Sequence, residues 1–170
     1  MTVISKTNPV GLDKAILRVQ NRLAKLSWTN ISIYGRLYIN DRDNQKVAEA
    51  YTTNGEYIEV FVNDKVNAVF GFVVTGSRQN FNVISTTVKL VCSVNIKTIY
   101  GSTERKDEEA LLTVLKELTG IINGSNQAKI DTRYEDVFAE FSPERFKYRN
   151  MQPWFNFALT FDVNYKNNIC

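Results

Sequence analysis

An α+β fold, with a mostly antiparallel sheet, two flanking helices and a C-terminal strand returning into the sheet, is predicted by three features of this 170-residue sequence. GLDKAILRVQNRLAKLSW carries apolar residues at helical pitch. The middle of the chain is a series of alternating segments broken by turn formers, and the chain closes on the two-faced ribbon FNFALTFDVNYK. One hydrophobic core suffices at this length, since single domains commonly span ~100 to 200 residues. The expected organisation is a flexible N-terminal arm over residues 1–11, poor in apolar residues and containing Pro9 and Gly11, followed by one α+β domain over residues 12–170.

The first helix is expected over residues 12–27, because Leu12, Ile16, Val19, Leu23 and Leu26 fall on one stripe. Lys14, Arg18, Arg22 and Lys25 recur on the same helix about a third of a turn away and form a basic ridge. Strands follow at residues 31–39, 55–62, 68–76 and 84–100, separated by turn formers such as NDRDN and NDK. The first sets Ile33, Gly35, Leu37 and Ile39 against Tyr34, Arg36 and Tyr38. The last sets Ile84, Val88, Leu90, Cys92, Val94 and Ile96 against Ser85, Thr87, Lys89, Ser93, Asn95 and Lys97. Such alternation predicts a sheet with one buried face and one face that is wet or meets a partner.

A second helix is expected to start near Ser102 or Thr103, with Asp107, Glu108 and Glu109 favourably placed in its first turns, an apolar face of Leu111, Val114, Leu115 and Leu118, and a stop at Gly120. The segment that follows is loose in pattern and interrupted by Pro143. The closing strand puts Phe155, Phe157, Leu159, Phe161, Val163 and Tyr165 on one parity, so it must pair inside the sheet to bury them.

Composition narrows the function. Residues 1–85 hold ten Lys/Arg against seven Asp/Glu and residues 86–170 eleven against eleven, so the net charge of +3 is not that of a chain dedicated to a phosphate backbone. No apolar run reaches the ~20 residues of a membrane span, and MTVISKTNPVG lacks the apolar core of a signal peptide; a soluble, non-secreted protein is expected. Cys92 in an alternating strand and Cys170 at the last position are expected to remain unpaired. Without export, the sequons at Asn30 and Asn123 are chance matches.

The sequence contains no histidine, which removes Ser-His-Asp and Cys-His nucleophile systems and histidine metal sites. There is no phosphate-binding glycine pattern. Asp41 and Asp43 in NDRDNQ resemble the start of a calcium loop, but the loop glycine is absent and Thr52 stands where its closing Glu belongs, so a solvated turn is expected. Glu56, Glu59 and Asp64, with Lys65 nearby, are the acidic set that a divalent-metal nuclease or phosphodiesterase would use, but such clusters are common on solvated sheets, which is the expected reading. No cofactor and no enzymatic activity are expected.

GLDKAILRVQNRLAKLSW, YGRLYINDRDNQKVAEAYTTNGEYIEVFVNDK and MQPWFNFALTFDVNY, taken in that order, resemble the neck and tail-connector proteins of tailed bacteriophages, particularly Bacteroides-type phages. The element order is similar to the tail-terminator fold. The resemblance implies a structural virion protein of the neck or tail, assembled in the host cytoplasm, that forms a six- or twelve-fold ring and stacks against portal, neck or tail proteins, with DNA passing through its lumen. A heterologous interface closed by rotation builds such a ring.

Interface residues are expected on that basis. The ridge of Lys14, Arg18, Arg22 and Lys25 calls for acidic counterparts on a neighbouring subunit, which the loose segment offers in Asp131, Glu135, Asp136, Glu140 and Glu144, with Phe138, Phe141 and Phe146 as apolar anchors. Tyr34, Arg36 and Tyr38 share a parity and are of types favoured at interface centres. A ridge lining a DNA-conducting bore, a metal-dependent nuclease and a small monomeric binding domain are the alternatives.

Overall fold

The apolar stripe near the N-terminus forms α1 (Gly11–Leu23), which buries Ala15, Ile16, Val19, Gln20 and Leu23. The computed structural model describes residues 1–52, 55–80, 83–101, 104–122 and 128–166. Around α1 the chain runs β1 (Thr2–Ile4), β2 (Ile31–Arg42), β3 (Gln45–Tyr51), β4 (Tyr57–Glu59), β5 (Ala68–Asn80), β6 (Val83–Asn95), α2 (Ile96–Tyr100), α3 (Asp107–Leu118), β7 (Lys129–Asp131) and α4 (Tyr134–Val137). A 3₁₀ segment (Pro143–Asn150) and β8 (Trp154–Lys166) complete it. The fold is α+β, as the periodicity predicts, and β8 enters the sheet along the whole of β6, from Val83↔Lys166 to Asn95↔Trp154.

The strands form one mixed, mostly antiparallel sheet in the order β4-β3-β2-β5-β6-β8-β7, with β1 added to β2. The parallel pairs are β1–β2 and β2–β5. The segment expected to be a free arm is therefore partly structural: Thr2, Val3 and Ile4 pair with Ser32, Ile33 and Tyr34, and the buried Gln20 amide donates to Ile4 O at 3.0 Å. Residues 45–51, unassigned in the sequence reading, supply β3. The predicted strand 84–100 stops at Asn95, whose side chain accepts the Thr98 N–H and caps α2. The expected caps Ser102 and Thr103, like Cys170, lie outside the described residues.

One core lies between the sheet and α1 and α3. Ile16, Val19 and Leu23 meet Phe70, Phe72, Leu90, Cys92, Phe157, Leu159 and Phe161, so the apolar parities of β6 and β8 are buried as expected. Burial pushes the Cys92 thiol well up, leaving it an inert apolar residue.

The second face of the sheet is not wet. α4 and the 3₁₀ segment cover it, packing Val137, Phe138, Phe141 and Phe146 with Phe61 onto Val69, Val73, Val91 and Ala158. Lys89 and Ser93, read as solvent-facing, are 4% and 0% exposed. Each has a partner from the covering layer: Lys89 Nζ reaches Glu140 at 2.8 Å and Asp136 O, and Ser93 Oγ accepts from Arg149 Nη1 at 2.9 Å. Gly71 permits this packing across strands, because a Cβ there would stand 2.5 Å from Leu37 Cδ1. No helix among the described residues is long and apolar enough to cross a membrane.

Candidate assembly surface

Lys14, Arg18, Arg22 and Lys25 are all exposed on the outer side of α1, and among the described residues none of them closes an ion pair. The acidic residue of the same helix, Asp13, is turned away and held by Lys6 at 2.6 Å and Arg36 at 3.3 Å. The ridge borders a groove against β8. At one end Gly11, Lys14 and Arg18 face Asn164, Tyr165 and Lys166 across about 430 Å³. Farther along, Arg18 and Arg22 face Asp162 and Asn164 across about 440 Å³.

Rising residue numbers on α1 thus meet falling numbers on β8, so helix and strand run antiparallel and the cations track the strand. Pairing with β7 occupies only Ala158, Leu159 and Thr160, so among the described residues the outer edge of β8 from Phe161 to Lys166 has no strand beside it. Asp162 accepts a 2.6 Å hydrogen bond from Thr87 Oγ1. That Tyr165 joins this groove was not legible from its position, since its parity is that of the buried face. α1 ends its cover of that face at Gly11, leaving the ring half-buried.

Across the sheet, the tip of the β2–β3 hairpin presents two carboxylates with Lys46 beside them. The β2–β3 hairpin turns at Asp43 and Asn44, both with positive φ (51° and 61°), as two-residue hairpin turns require. Arg42, which lies between Asp41 and Asp43 in sequence, is drawn to Glu49 at 2.5 Å, and Asn40 donates to the same carboxylate. Burial of Glu49 opposes its ionisation, but these hydrogen bonds outweigh it and hold the carboxyl below its ordinary range. Asp41 and Asp43 are left exposed and without ion pairs among the described residues; Lys46 lies across from Asp41 without bonding it.

Several expected interface residues belong to the interior. Phe138, Phe141 and Phe146 are 1%, 5% and 1% exposed, because the segment that carries them closes the second core instead of facing a neighbour. Tyr34 is buried in that core as well. A register shift in β2 between Ile33 and Arg36 breaks the alternation, placing Tyr34 and Leu37 on one side. Arg36 is tied to Asp13 and lies over the Tyr38 ring at 5.3 Å, and Tyr38 meets Tyr57 edge to face.

The expected acidic counterparts are also mostly paired within the chain. Glu140 holds Lys89, Asp131 holds Lys129 and Asp136 holds Arg133, leaving Glu135 and Glu144 exposed. Nor do the nuclease candidates converge. Glu59 is gripped by Arg145 through two 2.6 Å hydrogen bonds, and among the described residues no three acidic or cysteine side chains come together as a metal site. No protein-family model, curated protein or solved structure matches this chain.

Proposed function

We propose that this chain is a structural subunit that joins copies of itself head to tail into a closed ring, serving in the neck or tail of a tailed phage as its sequence resemblance implies. The observation that carries this reading is that, among the described residues, unpaired cations gather along the α1–β8 groove, while the tip of the β2–β3 hairpin, on the other side of the sheet, presents two unpaired carboxylates beside Lys46. Lys14, Arg18, Arg22 and Lys166 border the groove, and Asp41 and Asp43 stand at the hairpin tip. Two complementary but different surfaces on one subunit define a heterologous contact, which closes into a ring when its rotation permits and extends into a filament when it does not.

Charge placed this way chiefly steers encounter and fixes orientation, each exposed pair contributing ~0 to 1 kcal/mol. Affinity requires apolar area, and the same two surfaces present it. Ile39 is 40% exposed near the acidic hairpin tip, and Val83 is 43% exposed beside the basic groove. Sedimentation velocity and negative-stain imaging over a range of concentrations test the proposal. A discrete closed oligomer is expected; a strict monomer at every concentration, also in the presence of the products of flanking genes, overturns it.

A further inference from the structure

Resting on that head-to-tail reading, we infer that the groove between α1 and β8 receives the β2–β3 hairpin turn of a neighbouring copy, with Asp41 and Asp43 set against Arg18, Arg22 and Lys14. Three features point to this occupant. Lys14, Arg18 and Arg22 are four residues apart on a helix, a rise of ~6 Å per step. Asp41 lies in the last pair of residues of β2 and Asp43 opens the turn, so both carboxylates sit at the hairpin tip, two residues apart, and can meet successive cations when the tip lies along the groove. α1 and β8 run antiparallel side by side, so the groove continues from Gly11 and Lys166 to Arg22 and Asp162.

The hairpin is also preorganised for this role. Its turn residues occupy the left-handed region and its ladder is regular from Leu37↔Ala50 to Arg42↔Gln45, so little order remains to be gained on docking. Glu49 withdraws Arg42 from the two aspartates, which keeps their charge available. Ile39 brings an exposed apolar side chain on the same side of the strand as Asp41, toward the Tyr165 and Ile121 walls of the groove. Several other exposed acids fit less well. Glu135 and Glu144 belong to the layer that covers a sheet face, with Arg133 and Lys147 beside them, and Glu108 lies on α3, in the same helical layer as the ridge.

Reciprocal charge reversal in the full chain tests the inference. The substitutions Arg18→Glu with Arg22→Glu, and separately Asp41→Lys with Asp43→Lys, should each raise the concentration at which oligomers form by about tenfold or more; the first pair should leave the thermal transition unchanged, and the second should lower it only by the strain of a lysine at the left-handed turn position. Mixing the two reversed proteins, or combining all four substitutions, should restore assembly. A disulfide between Arg18→Cys and Asp43→Cys, in a Cys170→Ser background, should yield a ladder of linked subunits under oxidation.

The outcomes separate the two levels. A wild-type ring untouched by either reversal overturns the hairpin inference and leaves the ring reading standing; an unassociated wild-type chain overturns both. Impairment by the Arg18/Arg22 reversal alone, without rescue, assigns the groove to another acidic surface and overturns the inference. Salt-sensitive binding of a labelled 30-base-pair duplex or its single strand, lost in the same reversal, overturns it in favour of nucleic acid.

Discussion

Arg149 is a cation built into the interior of the fold. It is 0% exposed, faces no carboxylate within ion-pair distance among the described residues, and is held instead by Phe61 O, Asn63 O at 2.7 Å, Ser93 Oγ, and the Trp154 ring 3.8 Å below its guanidinium. Burial pushes its pKa below the ordinary arginine value, but the fork of donors fits the two carbonyls. Replacing it with Met takes the donor from Asn63 O and from the buried Ser93 Oγ, while Phe61 O keeps the Tyr148 hydroxyl at 3.0 Å; each group left unpaired costs ~1 to 3 kcal/mol. Arg149→Met should therefore lower unfolding free energy by about 3 kcal/mol in urea titrations; a change under half that would mean water or a neighbour replaces the guanidinium. Tyr134 offers a titration test. Burial, aided by Glu144 and Glu135, raises its phenol from 10.0 to about 12. The unfolded chain then releases a proton near pH 10 that the folded chain retains, so this contribution to stability is complete below pH 10 and declines as pH rises toward 12. Tyr134→Phe should flatten that alkaline decline, and equal slopes for both proteins would refute the assignment.

At the scale of elements, the covering layer and the first strand depart furthest from the sequence reading. Phe138 lies 4.7 Å from Phe146, 5.0 Å from Tyr134 and 5.6 Å from Phe61, ring centroid to ring centroid. Phe138→Ala should accordingly cost ~3 to 5 kcal/mol of subunit stability, measured on the dissociated chain. An interface anchor would instead weaken assembly and spare the fold. Deleting residues 1–7 removes the β1 ladder and leaves the Gln20 amide short of one acceptor, so a loss of ~1 to 3 kcal/mol is expected; an unchanged transition would return these residues to the status of a free arm. The long elements were legible because their periodicity is strong: α1, β6 and β8 repeat their apolar residues over many turns or pleats. The covering layer was not, since four-residue and 3₁₀ helices have too few turns to display a period, and charges that pair across the sheet, such as Lys89 with Glu140, look solvent-facing in one dimension. The basic ridge was visible at helical spacing, whereas its groove and its acidic counterpart depend on where the topology places β8 and the β2–β3 hairpin.

At the scale of the whole molecule, ion pairing inside the chain has sorted its charges. Asp13, Glu49, Glu59, Glu140, Asp131 and Asp136 each hold a cation of the same chain, so a nearly balanced composition still leaves, among the described residues, a row of unpaired cations along α1 and two unpaired carboxylates at the β2–β3 hairpin tip. Such a subunit should associate in a salt-dependent manner. The facing charges are exposed and the screening length is ~14 Å at 0.05 M but only ~4 Å at 0.5 M, so attraction across the contact fades over that range while apolar burial does not. Raising salt from 0.05 to 0.5 M should thus weaken oligomer formation by roughly tenfold, chiefly through slower association, with dissociation little altered. Sedimentation velocity together with stopped-flow light scattering separates these effects. If high salt instead strengthens the oligomer, apolar contact dominates and the divided charge does not guide assembly. A steep loss through faster dissociation would place the ionic contacts in the buried centre of the interface rather than along its rim.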